Sequence, residues 1–183
     1  MVMKLALYGG SFDPPHRGHL FVALKALECL DCDQLIIVPA FRNPFKNSIV
    51  ADGESRLRWL KKIFAPYPRI TVSDFEIRQH RSVYTIETVC HYATQCEKLY
   101  LIIGADNFES LHLWHEYETL KTIVTFVVAT RNAIPIPHGM IALVVNEPIS
   151  STDFRTSFSS LGLPESIENE ITSYYKEHYE PTN

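Results

Sequence analysis

Apolar positions along the chain gather into short runs that alternate with longer stretches of helical period. Residues 3–8 make a first run of strand length, rich in Leu and Ala. A Gly9-Gly10-Ser11 turn follows, and apolar positions then recur at helical spacing from about Gly18 to Leu30. Residues 34–38, Gln34-Leu35-Ile36-Ile37-Val38, form the second strand. A long polar loop leads into a helix from about Asp52 to Phe64, a strand at 69–74 and a helix at 84–95. The fourth strand is 98–103, followed by short helices near 106–111 and 116–121. Strands at 123–129 and 141–145 come next, and helices near 151–160 and 164–177 close the chain.

Short β-branched strands alternating with helices indicate right-handed βαβ units and a mainly parallel sheet. The expected architecture is α/β, a Rossmann-like open sheet with helices on both faces. The whole chain, 1–183, reads as one domain whose part beyond about residue 150 is helical. In such sheets a ligand binds beyond the C-terminal ends of the strands, where the strand order reverses. That rule directs attention to the segments after Tyr8, Val38, Ile103, Ala129 and Val145.

Composition narrows this picture only a little. Of 183 residues 46% are hydrophobic and 21% charged, an ordinary balance for a globular chain. The longest apolar run, around Ile123 to Ala129, suits a buried strand and is far too short to cross a bilayer. The start runs directly into a strand pattern with no signal-peptide cleavage site, so a cytoplasmic protein is expected. A net charge of −4 argues against broad nucleic-acid binding, and no membrane partner is expected. Cys29 and Cys32 have a C-x-x-C spacing, but Cys90 and Cys96 supply no matching second pair, so packing ranks ahead of zinc or redox chemistry.

The chemically suggestive residues fall where the sheet rule points. After the first strand comes Gly9-Gly10-Ser11-Phe12-Asp13-Pro14-Pro15-His16-Arg17-Gly18-His19. Two glycines let the backbone approach a ligand closely, and the following helix N-terminus offers N–H groups to phosphate. Neither the dinucleotide-cofactor pattern G-x-G-x-x-G nor a P-loop is present. His16 and His19 stand three apart at a helix start, so both imidazoles can face one side and donate to phosphate oxygens. A zinc pair is disfavoured there, because no third ligand lies nearby and the helix dipole repels cations. Far along the chain, Ile149-Ser150-Ser151-Thr152-Asp153-Phe154-Arg155 sets hydroxyls at a helix start beside a guanidinium fork suited to phosphate.

These stretches resemble a known superfamily. His16-Arg17-Gly18-His19 looks like the H-x-G-H element of the nucleotidylyltransferases, and Ile149 to Arg155 resembles their late I-S-S-T-x-x-R element. Pro39-Ala40-Phe41-Arg42-Asn43-Pro44-Phe45-Lys46 resembles the P-x-x-x-x-P-x-K loop of nicotinate-nucleotide adenylyltransferases. Glu76-Ile77-Arg78 and Tyr84 to Thr88 resemble that family's E-x-x-R and S-Y-T-x-x-T stretch, with Val83 where serine is usual. Gly104-Ala105-Asp106 with Trp114 resembles its G-x-D…W element.

The resemblance implies adenylyl transfer from ATP, with Mg2+, to nicotinate mononucleotide, a step of NAD biosynthesis that releases pyrophosphate. It implies that His16, His19 and Arg155 are catalytic, and that Gly9, Gly10, Ser11, Phe12, Gly18, Asp106, Ser150, Ser151 and Thr152 bind ATP. Lys46 would reach phosphate, Thr85 would hold the pyridine carboxylate through its amide, and Trp114 would stack on the pyridine ring. No side chain is implied as a resident metal ligand. The choice of nicotinate over nicotinamide mononucleotide rests on resemblance alone, and the oligomeric state stays open. Alternatives are an adenylyl- or cytidylyltransferase for another acceptor, a nucleotide-binding regulator without catalysis, and a zinc module at Cys29 and Cys32.

Overall fold

Six strands lie side by side, and every neighbouring pair runs parallel. A computed structural model describes residues 3–42, 49–130, 135–145, 150–157 and 162–179. The strands are β1 (Lys4–Gly10), β2 (Gln34–Pro39), β3 (Ile70–Val72), β4 (Lys98–Gly104), β5 (Thr125–Thr130) and β6 (Ile141–Val144). Their order across the sheet is β3-β2-β1-β4-β5-β6. The chain therefore moves outward from β1 in one direction, then returns to its other side at β4. Between β1 and β4 the crossovers leave to opposite faces, and a cleft opens at the C-terminal ends of these two strands.

The helices are α1 (Arg17–Cys29), α2 (Gly53–Phe64), α3 (Phe75–Arg78), α4 (Thr85–Ala93), α5 (Ala105–Phe108), α6 (Tyr117–Ile123), α7 (Ser151–Ser157) and α8 (Glu168–His178). Continuous apolar strands serve two cores, because successive side chains point to opposite faces. On one face Ala6, Leu35, Ile37, Tyr100 and Ile102 pack with Ala23 and Ala26 of α1, Trp59 and Leu60 of α2, and Ile171 and Tyr175 of α8. On the other, Leu5, Leu7, Ile36, Leu99, Leu101 and Phe126 pack with Ile86 and Val89 of α4 and Leu120 of α6. The expected Rossmann-like sheet with helices on both faces is what the chain adopts. Among the described residues no helix is long and apolar enough to cross a membrane.

Several element bounds differ from expectation, each for a physical reason. The Gly9-Gly10 pair is not a turn but the end of β1, in register with Val38 and Pro39. Helix α3 has only four residues, shorter than any window in which a 3.6-residue period can be seen. The strand expected at 69–74 is trimmed to Ile70–Val72, since β3 is an edge strand paired on one side only. The last helix begins at Glu168 rather than near 164, because Leu163 and Ile167 are drawn into the core and the Ile167 amide closes a turn onto Pro164. The short helix expected at 106–111 divides into α5 and a 3-10 turn at Leu111–Leu113.

Candidate active site

A cleft open to solvent lies over the C-terminal ends of β1, β2 and β4. Gly9 and Gly10 form its inner edge. A side chain at Gly10 would meet the Phe12 ring at 3.1 Å, so glycine keeps this strand end open. The far wall is α4 and the turn before α6: Thr85, Thr88, Trp114 and His115 all line the space. The lining is mostly apolar, and Glu76 sits in its buried part.

Beside this cleft, residues 11–16 cross from β1 to α1. Phe12 takes a left-handed backbone (φ 50°), an uncommon conformation for a bulky residue, and its buried ring packs edge-on against Tyr8 and His19. His16 is the N-cap of α1, and its backbone N–H donates to Nδ1 of His19 at 3.1 Å. The two imidazoles stack with centroids 3.7 Å apart. Nδ1 of His19 is thereby an acceptor, so the neutral ring carries its proton on Nε2. The spacing of three residues does place both rings on one side, as the sequence suggested. Gly18 is buried inside α1, in the turn between them.

The late element closes onto the same loop. Ser151 of α7 donates its hydroxyl to the Pro14 carbonyl at 2.9 Å, and Arg155 donates to the Asp13 carbonyl and reaches Thr152 at 3.3 Å. Ser150 and Asp153 exchange hydrogen bonds as a reciprocal cap of α7, with Ser150 Oγ accepting the Asp153 amide at 3.1 Å. The first and last sequence elements, well over a hundred residues apart, therefore meet at Asp13-Pro14.

Two buried charged residues build this junction, and sequence reasoning gives neither a role. Asp13 accepts the Val50 and Ala51 amides, both at 2.9 Å, together with the Tyr175 hydroxyl, and it lies 4.0 Å from Arg155. Arg56 is fully buried at 0% exposure. Its guanidinium donates to the carbonyls of Ala51 at 2.9 Å, Ser11 at 2.7 Å, Ala40 at 2.7 Å and Phe41 at 3.1 Å. One side chain so ties the loops after β1 and β2 to the start of α2. A signal exists: Arg56 falls on the same helical stripe as Leu60 and Ile63, where an apolar residue is expected.

Glu76 accepts the Thr88 hydroxyl at 2.7 Å. Burial pushes its carboxyl up to about 7, against the opposing effects of that hydrogen bond and of Arg56. An unfolded chain ionises this group near 4.5, so the neutral acid's contribution is complete below that pH and is lost as pH rises through about 7. Glu76→Gln keeps the shape and the acceptor but cannot ionise. It should leave stability nearly unchanged at pH 4.5 and raise it by about 3 kcal/mol at pH 8. Thermal melts of both proteins at the two pH values check this; a difference independent of pH refutes it.

The remaining sequence candidates are placed as follows. Asp106 is exposed in the first turn of α5, at the end of β4 and next to Asn107 of the cleft lining. Arg78 stands two residues after Glu76, not three, and pairs with Asp74 at the surface. Lys46 lies outside the described residues. Cys29 is exposed and Cys32 buried, both as free thiols, and burial pushes the Cys32 thiol up, away from the thiolate that metal or redox chemistry needs. Among the described residues no group of three or more His, Cys, Asp or Glu could hold a metal ion.

A parallel sheet of this order, with paired histidines and a Ser/Arg helix meeting at one loop, defines a protein of the cytidylyltransferase-like family, whose sequence model matches residues 7–157. A relative from a Nitratiruptor species, named "Probable nicotinate-nucleotide adenylyltransferase", is 48% identical over 95% of this chain and 99% of its own. One of the same name from Campylobacter jejuni is 47% identical over 95% and 97%. The chain belongs to the nicotinate-nucleotide adenylyltransferases of that family. Plasmodium falciparum nicotinic acid mononucleotide adenylyltransferase, solved in complex with NaAD, shares the fold: the TM-score is 0.71 over 96% of this chain and 95% of that one, at 20% identity.

Proposed function

We propose that the chain transfers the adenylyl group of ATP to nicotinate mononucleotide, giving nicotinate adenine dinucleotide and pyrophosphate, as a cytoplasmic step of NAD biosynthesis. The observation that carries this reading is the adjacency of two regions. The stacked His16–His19 pair and Arg155 gather at the loop after β1, and the apolar cleft with Thr85 and Trp114 begins at the same strand end. The first region suits a triphosphate, the second a flat heteroaromatic ring with one polar edge.

The acceptor phosphate arrives already anionic and attacks the α-phosphorus of ATP; the bond to the β-phosphate oxygen breaks and pyrophosphate leaves. Such transfer needs alignment and charge stabilisation, not a protein nucleophile. His19 Nε2–H and the His16 ring stabilise charge on the α-phosphoryl group. Arg155, with Ser150, Ser151 and Thr152, holds the outer phosphates, joined by Lys46. The backbone of Gly9, Gly10, Ser11 and Phe12 and the helix turn at Gly18 surround the triphosphate, and Asp106 contacts the ribose. ATP enters as its magnesium complex. Asp13 accepts protein hydrogen bonds on both oxygens, and the cation would come with the triphosphate as part of the substrate. All of this falls within one nucleotidylyltransferase domain.

Incubation with ATP, magnesium and either nicotinate or nicotinamide mononucleotide, with pyrophosphate release as the readout, tests the reading. Fast release with the acid and little with the amide is expected. No release with either refutes it.

A further inference from the structure

One side chain of the last helix reaches both parts of the phosphate region. Ile167, Ile171 and Tyr175 recur at helical spacing along the inner side of α8, and all three are buried. The Tyr175 ring packs edge-on against Phe154, with centroids 5.4 Å apart, and lies tilted against Trp59 at 6.2 Å. Phe154 directly precedes Arg155 in α7. The Tyr175 hydroxyl donates to Oδ1 of Asp13, the residue whose carbonyl accepts the Arg155 guanidinium. Burial and the Asp13 carboxyl both raise the Tyr175 phenol, so the hydroxyl keeps its proton and acts as the donor. The same side chain thus fixes the acceptor of Arg155 through its hydroxyl, and the helix that carries Arg155 through its ring. Arg155 commits one nitrogen to the Asp13 carbonyl and another to Thr152 at 3.3 Å. The direction of its remaining N–H groups therefore depends on where Asp13 stands.

We propose that Tyr175 is a positioning residue for ATP binding, whose hydroxyl, acting through Asp13, aims the Arg155 fork at the outer phosphates. The proposal rests on the reading of Arg155 as a phosphate-holding residue. A planar guanidinium binds phosphate through paired, directed N–H groups, so a small shift of its anchor spoils both contacts together. The wall of the cleft built by α4 and α6 packs on the opposite face of the sheet from Tyr175, so loss of the hydroxyl leaves the acceptor's side untouched.

The test measures ATP dissociation constants by calorimetry in the wild type, Tyr175→Phe, Arg155→Ala and the double variant, alongside KM for each substrate. Tyr175→Phe keeps the ring against Phe154 and Trp59 and removes only the donor. It should weaken ATP binding about three- to tenfold, the worth of one buried hydrogen bond, and leave KM for nicotinate mononucleotide within about twofold. In the Arg155→Ala background the same change should weaken ATP binding by less than about twofold, because the group it aims is gone. Ile171→Val, on the same stripe, is the structural control. It should lower the melting temperature by about 2 to 4 °C, as Tyr175→Phe does, yet bind ATP as the wild type does. Wild-type ATP affinity in Tyr175→Phe, or an equal loss with and without Arg155, overturns the proposal and leaves the adenylyl-transfer reading standing. A wild type that binds no ATP overturns that reading, and this proposal with it.

Discussion

His19→Ala should lower turnover about a hundredfold or more, a loss of roughly 3 kcal/mol in transition-state stabilisation, from a protein that remains folded. In the proposed role the ring is a preorganised donor: Nδ1 accepts the His16 amide, stacking on His16 fixes the ring plane, and the neutral ring carries its proton on Nε2. The same Nδ1 contact also caps α1, so alanine removes about 1 kcal/mol of stability as well. His19→Asn separates the two effects, since its amide oxygen occupies the Nδ1 position and preserves the cap but has nothing at Nε2. Both variants should lose kcat together, and only alanine should lower the melting temperature. Steady-state pyrophosphate release and thermal melts provide the comparison. Near-wild-type turnover in a folded His19→Asn protein would remove His19 from the chemistry.

Arg56→Met should be the most damaging substitution to stability, costing about 3 to 5 kcal/mol. Methionine matches the aliphatic stem but leaves the Ala51, Ser11, Ala40 and Phe41 carbonyls without their donor in the protein interior. It also removes one of two guanidinium charges near Asp13, leaving Arg155 as the other. For a chain of this size the loss corresponds to a fall of roughly 10 °C or more in melting temperature. Arg56→Lys keeps the charge but offers a compact ammonium in place of a planar fork, so it should recover only part of the loss. Activity should fall further than the folded fraction does, because the loops after β1 and β2 are the ones that border the cleft. A melting temperature within two or three degrees of wild type would show that the four contacts are dispensable.

Much of this was legible locally. Apolar period alone places α1, α2 and α4 and all six strands to within about two residues, because a helix stripe or a short β-branched run reports burial directly. The i, i+3 spacing of His16 and His19 is likewise a local geometry, and the stacked rings follow from it. Pro164 misled the helix boundary because proline is acceptable in a first helical turn, whereas the burial of Leu163 and Ile167 holds that stretch as a turn.

The sequence by itself therefore determined the elements, the parallel class of the sheet and the two distant stretches that meet at Asp13-Pro14. Tertiary structure alone decided the strand order β3-β2-β1-β4-β5-β6, and with it which strand ends face each other across the cleft. It alone made Asp13 the meeting point of Val50, Ala51, Arg155 and Tyr175, and Arg56 the tie between the loops after β1 and β2. The reason is one of range. Periodicity records whether a residue is buried, since burial repeats with the local geometry of helix or strand. A buried charge is stabilised by whichever polar groups the chain brings to it from a distance, and that pairing has no period to read.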